Sequence, residues 1–277
     1  MSEADSFGTA QKKMKLFDSH AHYFDSRFEG LGGAEKVLSE EVFANDVARV
    51  VNVGTSGRTN ILCVEQAARY DGMYAAVGIH PEDSRELDAD PEKELFALRE
   101  LLANKQKNKI VAIGEIGFDY HYEGYDKEKQ ARYFEEQMKL ADELSMPVIV
   151  HDREAHGDCF DMICKYPCVV GVFHSYSGSA EMAAELVKRG YYISFSGVLT
   201  FKNARKAVEA AQSVPLDRIL IETDAPYLAP HPFRGQINHS GLVRYTAQKL
   251  AEIKGISVEE ISEITYDNAS RLFKIIK

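Results

Sequence analysis

Five of the nine histidines in this chain close short apolar runs. His20 and His22 follow Lys15-Leu16-Phe17, His80 follows the run 74–79, His151 follows Val148-Ile149-Val150, and His174 follows the run 169–173. Two acids hold equivalent places: Glu115 after the run 110–114, and Asp224 after Ile219-Leu220-Ile221. Imidazole nitrogens and carboxylate oxygens are the donors that a hard or borderline divalent cation takes. If the runs are parallel strands of one barrel, all seven side chains converge on a single mouth, the end at which such barrels keep their chemistry. These residues point to a metal-dependent hydrolase.

In Asp18-Ser19-His20-Ala21-His22 the two imidazoles are two residues apart. On an extended strand end, period two turns both to the same side, so they can share one cation. The pair alone would equally suit two surface histidines; ligand types at independent strand ends are what favour the metal. Glu115 stands between Gly114 and Gly117 in Gly114-Glu115-Ile116-Gly117, and glycines allow close approach to the backbone, which suits a bridging carboxylate. His151 and His174 close adjacent strands and suit a second cation, though either alone could be a core histidine. Asp224, in Glu222-Thr223-Asp224-Ala225-Pro226, is a ligand or a base. Glu222 and Asp119 could touch substrate or merely form a salt bridge or cap. His80, Arg153 and Arg234 could bind an anion, since an Arg fork matches phosphate or carboxylate; each Arg could instead pair with one of the many acids. Ser177-Gly178 could lend backbone N–H groups to an anion or serve only as an N-cap. His121, His156, His231 and His239 read as loop or surface residues.

Eight strand-like runs must position these groups: 14–18, 49–53, 74–79, 110–115, 147–151, 169–174, 191–195 and 218–223. They are rich in Val, Ile, Phe and Tyr and mostly continuous rather than alternating, as in strands covered on both faces. Helical patterns lie between them at 60–70, 92–104, 127–145, 179–190 and 203–213, with Phe134, Met138, Ala141 and Leu144 on one face of the third and Gly190 closing the fourth. Strands alternating with helices imply a parallel sheet, and eight such units a closed (β/α)8 TIM barrel. Two more helical patterns, 241–254 and 258–276, follow the last strand. A doubly wound sheet would put a Gly-rich phosphate loop after the first strand, where His20-Ala21-His22 stands instead.

The length of 277 residues and 45% hydrophobic composition suit one barrel domain over 14–277. Residues 1–13 are polar, lack the apolar core of a secretory signal, and read as a short disordered lead. No apolar stretch approaches the ~20 residues that cross a bilayer. Cys63, Cys159, Cys164 and Cys168 form no paired framework and read as buried free thiols, which with the missing signal places the chain in the cytoplasm or nucleus. A net charge of −10 argues against a broad basic groove for duplex DNA. It leaves room for a strand end whose charge is met by cations.

The motifs together resemble those of the TatD-family metal-dependent deoxyribonucleases, a branch of the amidohydrolase-like barrels. The resemblance runs from Leu16 to about Phe273. It rests on Asp18-Ser19-His20-Ala21-His22, Gly78-Ile79-His80-Pro81, Ile113-Gly114-Glu115-Ile116-Gly117-Phe118-Asp119-Tyr120, the helix residues Gln130, Phe134 and Gln137, and Pro147-Val148-Ile149-Val150-His151-Asp152-Arg153. Phe173-His174-Ser175-Tyr176-Ser177-Gly178, Ile221-Glu222-Thr223-Asp224-Ala225-Pro226-Tyr227-Leu228 and Arg234-Gly235 with Asn238 complete it. The resemblance implies one metal site of His20, His22, Glu115 and Asp224, a second of Glu115, His151 and His174, and a scissile phosphate near His80 and Arg153. It also implies a 3′–5′ exonuclease taking mononucleotides from single-stranded DNA ends with two divalent ions, Mg²⁺, Mn²⁺ or Zn²⁺. The chain departs from the family at Ser175-Tyr176 (often Cys-Phe), Phe118 (often Leu) and His239-Ser240 (an acidic-Pro pair), which bears on pocket shape rather than on any ligand.

Two cations about 3.5–4 Å apart can acidify a shared water and clamp both oxygens of a displacement. On this reading Asp224 relays the proton, while His80 and Arg153 offset charge on the phosphoryl oxygens. Rival readings are an amidohydrolase cleaving a cyclic amide, lactone or acyl ester, a histidinol-phosphatase-like phosphoesterase, to which Ser26 after His22 would fit, and an idle scaffold barrel. Glu115 stands where many amidohydrolases carry a carboxylated Lys, and an idle scaffold would be expected to have lost a ligand. The physiological metal, the choice between DNA and RNA, the polarity of attack and the oligomeric state stay open, a monomer being compatible.

Overall fold

The computed structural model describes residues 14–275. The segment 1–13 and Ile276, the end of the last helical pattern, lie outside the described residues. Eight parallel strands follow one another around a single sheet: β1 Leu16–Ala21, β2 Val47–Val53, β3 Met73–Val77, β4 Ile110–Asp119, β5 Val148–Arg153, β6 Gly171–Phe173, β7 Tyr192–Phe195 and β8 Ile219–Ile221. A parallel bridge between Ala21 and Ala225 joins the end of β1 to the segment just past β8. Hydrogen bonds from His22 N to Ala225 O (2.7 Å) and from Asp224 N to His20 O (2.9 Å) tighten that seam. The result is the expected TIM barrel, nearly closed.

Helices fill the crossovers: α1 Ala34–Val37, α2 Gly57–Arg69, α3 Glu92–Ala103, α4 Lys127–Leu144, α5 His156–Cys164, α6 Ala180–Lys188 and α7 Arg205–Ser213. Two more follow β8, α8 Val243–Lys254 and α9 Val258–Leu272. Their ends are set locally. Asp126 caps α4 by accepting from Lys129 N at 3.0 Å, and Ser257 with Glu260 makes a capping box at α9. Gly190 stops the chain after α6 at a φ of +88°, where a side chain would be strained. Among the described residues no helix is long and apolar enough to cross a membrane.

Alternate strand residues serve two cores. Val148, Val150, Phe173, Ile219 and Ile221 pack outward against the helices. Phe17, Val51, Ala112, Ile149, Val172 and Leu220 form an inner cluster with Leu272 at the end of α9 and Phe273 and Ile275 just past it. Period two carries that inward direction on to His151, His174 and Glu222. The same rule would turn Glu115 outward, because Ala112 faces in. A shift of register between Ile113 and Ile116 breaks the alternation on β4, and another between Asp18 and Ala21 does so on β1. Such irregularities re-aim side chains beside active sites.

The structure corrects several expected boundaries. β1 begins two residues later than expected and runs through His20, while β4 and β5 continue past Glu115 and His151 because Gly117, Phe118 and Asp119 pair with His151, Asp152 and Arg153. The sequence pattern predicts no helix between β5 and β6, yet α5 forms there, burying Cys159, Met162 and Ile163 on one short face. Nor does the pattern predict α1, which runs into a π turn at Leu38–Val42. Of the cysteines, Cys63 and Cys159 are buried, but Cys164 is only partly so and Cys168 is exposed.

Candidate metal centre

Glu115 sits at the centre of the mouth. Gly78, Gly114 and Gly117 let the ends of β3, β4 and β5 press together around it: a Cβ on Gly114 would stand 2.7 Å from Ile149 Cβ, and one on Gly117 would collide with the His151 carbonyl. Glu115 Oε2 faces His20 Nε2 (3.3 Å) and His22 Nε2 (3.6 Å). Its Oε1 faces His151 Nδ1 (2.7 Å), His174 Nε2 (2.8 Å) and His80 Nε2 (3.4 Å). One carboxylate thus presents an oxygen to each of two donor groups. Asp224 Oδ1 joins the first group, 3.4 Å from His22 Nε2 and 3.8 Å from His20 Nε2, while the two imidazole nitrogens are 3.0 Å apart.

These spacings fit cations. In the first group the distances of 3.0–3.8 Å bracket the edge of about 3.4 Å expected between donors ~2.1 Å from a tetrahedral ion. In the second, His151 Nδ1 and His174 Nε2 are 3.2 Å apart, with Glu115 Oε1 close to both. Ring orientation supports the same division. His22 Nδ1 bonds the Val53 carbonyl at 2.8 Å, which leaves Nε2 a lone pair for the site. His151 Nε2 bonds Asp119 Oδ2 at 2.9 Å, so that Nδ1 is the nitrogen turned to Glu115 and the site.

His80 differs. Its Nδ1 accepts the Glu82 N–H at 3.1 Å, so the neutral ring carries its proton on Nε2 and turns an N–H towards the centre. His80, Glu115 and His151 lie within reach of one ion, but this tautomer suits an anion rather than a cation. His20, His174 and Glu222 form another grouping. There Glu222 Oε1 already accepts the Ser175 N–H (2.7 Å) and lies 3.4 Å from His174 Nδ1, the place of a group that orients a ligand.

The other expected contacts are dispersed. Arg153, at the end of β5, is half-buried and makes no ion pair among the described residues; its Nη1 donates to the Tyr122 hydroxyl at 3.4 Å. Arg234 is exposed on the loop after β8, its guanidinium 4.0 Å from the Phe201 ring centroid. Ser177 is exposed after β6 and is not the cap of α6: that role falls to Ser179, which accepts from Met182 N. His121 pairs with Glu154, and His156 begins α5, paired with Asp152.

Other residues named in the sequence motifs without a settled role hold these donors in place. Asp119 holds His151, as above. Asp18, fully buried on β1, accepts from Thr223 N (2.9 Å), Thr223 Oγ1 (2.5 Å) and His20 N (3.2 Å), tying both halves of the first donor group together. Gln137 bonds both backbone groups of Ile79 just before His80, and Gln130 does the same for Asp119. The available signal was two glutamines seven residues apart on the apolar face of α4.

The field within the site is strongly shifted. Burial alone would raise the Glu115 carboxyl, but the charges of His174, His80 and His20 and the His151 hydrogen bond hold it well below the usual carboxylate range. Burial likewise opposes ionisation of Asp224, and the His22 hydrogen bond with the His20 and His174 charges overrides it downwards. Burial disfavours a charged His174, yet Glu115 and Glu222 push it well above the ordinary imidazole value. His151 and His22 are raised as well, against burial, by Asp119 with Glu115 and by Asp224 with Glu115. Burial and the neighbouring His174 lower His20.

A cation must therefore displace protons from imidazoles that hold them above pH 6.5, their ordinary value. A raised pKa means that these imidazoles keep their protons to a higher pH than an ordinary imidazole, so affinity for Zn²⁺ or Mn²⁺ will rise with pH and protons will be released on binding. Titration calorimetry in two buffers of different ionisation enthalpy checks this; heats independent of buffer and affinity independent of pH would contradict it.

Comparisons with known proteins give the family. Residues 17–274 match the family model described as TatD related DNase. The chain is 42% identical, over 94% of its length and 99% of the relative's, to the uncharacterized metal-dependent hydrolase YabD of Bacillus subtilis. It is 37% identical, over 95% and 97%, to the uncharacterized metal-dependent hydrolase YcfH of Escherichia coli. Among solved structures it is similar to the TatD homologue YjjV of Escherichia coli, with a TM-score of 0.85, 28% identity, and coverage of 94% of this chain and 98% of that one. A fold built around this mouth and a match across nearly the whole chain lead to one conclusion: the chain belongs to the TatD family of metal-dependent hydrolases.

Proposed function

We propose that this mouth hydrolyses phosphodiesters at the ends of single-stranded DNA, with two divalent ions sharing Glu115. The observation that carries the reading is that carboxylate, whose two oxygens face two separate donor groups while an N–H of His80 points into the same space. His20, His22 and Asp224 would hold one ion, His151 and His174 the other. Bound there, the ions would acidify a water and offset charge on the phosphoryl oxygens. Asp224 stays ionised and accepts the proton of the attacking water. His80 Nε2–H and the Arg153 guanidinium bind the non-bridging oxygens. A 3′–5′ direction of attack belongs to the same proposal.

The test is activity of protein reconstituted with Mg²⁺, Mn²⁺ or Zn²⁺ on end-labelled single-stranded DNA, on RNA, and on a panel of cyclic amides and esters. Mononucleotides should leave the DNA end and chelation should abolish turnover. Full activity in chelated protein, or hydrolysis of amides and esters alone, would overturn the reading.

Arg153 separates substrate anchoring from metal binding. Arg153→Ala should keep metal stoichiometry and cost about 2–4 kcal/mol in kcat/KM on a phosphodiester, the usual loss for one buried charged contact. A neutral ester should suffer much less. Equal loss on both substrates together with a lowered melting point would identify Arg153 as a structural residue instead.

A further inference from the structure

The mouth also carries exposed aromatic surface outside the barrel core. Tyr122, in the loop after β4, is 46% exposed, and Tyr227, in the loop after β8, is 41% exposed. In a ring of eight strands running β1 to β8, the β4–β5 side faces the β8–β1 seam, so the loops that carry the two tyrosines lie on opposite sides of the mouth. Neither ring is loose. The Arg153 guanidinium lies 5.1 Å from the Tyr122 centroid and donates to its hydroxyl. Tyr227 donates its hydroxyl to Asp25 Oδ2 at 2.8 Å, carries the Arg27 guanidinium 4.6 Å from its centroid, and meets the His22 ring edge-on at 6.1 Å.

Rings pinned in place yet left open to solvent contribute little core packing. They are suited to stacking a flat partner, because their orientation is fixed before it arrives. Base stacking on such rings tolerates any sequence, and single strands offer unstacked bases to it. A chain with a net charge of −10 cannot rely on a broad basic surface to hold a polyanion, which leaves contacts with bases as a source of affinity beside the cations.

We propose that Tyr122 and Tyr227 are stacking platforms for the nucleobases on either side of the scissile phosphate, so that the mouth takes single-stranded nucleic acid of two or more nucleotides. The inference rests on the diesterase reading above, and the experiment separates the two. Full-length, metal-loaded Tyr122→Leu and Tyr227→Leu are compared with the unaltered chain on short oligonucleotides, intact or lacking the base on one side of the cleaved bond. Each variant should lose about 5- to 100-fold in kcat/KM on the intact strand, the size of a stacking contact. That loss should shrink at least fivefold when one particular base is missing, and the base concerned should differ between the two variants. Tyr122→Phe and Tyr227→Phe, which keep the ring, should recover most of the rate. Equal losses on intact and abasic strands, or intact and abasic strands cut alike by the unaltered chain, would overturn the platforms and leave the diesterase reading standing. No hydrolysis of any oligonucleotide by the metal-loaded unaltered chain would overturn both.

Discussion

Glu115→Gln will lower kcat by roughly 10³-fold or more and reduce the number of ions bound. Groups that merely orient a metal ligand are worth about 10–100-fold, and Glu115 faces both donor groups directly. It is also buried among His20, His80, His151 and His174, all within 3.4 Å of one of its oxygens. Gln is the same size but carries one oxygen and no charge, so the fold should persist while one donor group loses its shared atom. The imidazoles raised by that carboxylate should then release their protons more readily, as followed by their NMR titration. Metal analysis beside steady-state rates checks the prediction. A variant with two bound ions and near-normal kcat would show that the two donor groups do not depend on a shared carboxylate.

Asp224→Asn should keep the fold and lose roughly 10²-fold or more in kcat, the scale of a general base. The substitution is clean for a conformational reason. Asp224 has a φ of +58°, in the left-handed region, which Asn tolerates about as well as Asp. Its backbone N–H to His20 O, part of the barrel seam, is then retained. What changes is the charge, which the His22 hydrogen bond and the His20 and His174 charges keep ionised against burial. In metal-free protein a depressed carboxyl pKa gives stability that is present above the unfolded value and lost as pH falls through the folded one. The Asn variant should accordingly show a flatter acid limb in its melting temperature. Near-normal kcat in metal-replete Asp224→Asn would remove this residue from the proton-accepting role.

The nature of the centre was legible in the one-dimensional chain because donors stand at the ends of apolar runs. Continuous Val- and Ile-rich strands must be covered on both faces, and only the end of such a strand can present a polar side chain without burying it unpaired. The order His20, His22, His80, Glu115, His151, His174, Asp224 is therefore readable before any folding, and alternation by two accounts for the inward turn of His151 and His174. The helices with strong apolar faces and caps, such as α4 and α6, were legible for similar local reasons. α5 was not, because nine residues opening on His156-Gly157 carry little periodicity, and its helix depends on packing Cys159, Met162 and Ile163 beneath it.

What only the tertiary structure decided is which atom faces which. Strand alternation would turn Glu115 away from the mouth, and it enters because β4 shifts register against β5, where Gly114 and Gly117 allow the backbones to meet. His80 becomes an N–H donor through the Glu82 amide, a contact between two residues that local pattern does not reveal. Asp119, Glu222 and Asp18 become positioning groups because their partners arrive from other strands, across 32, 47 and 205 residues of chain. Residue types at strand ends record that donors must gather; the shifts of register and the long-range hydrogen bonds that aim each one are set by the closing of the barrel.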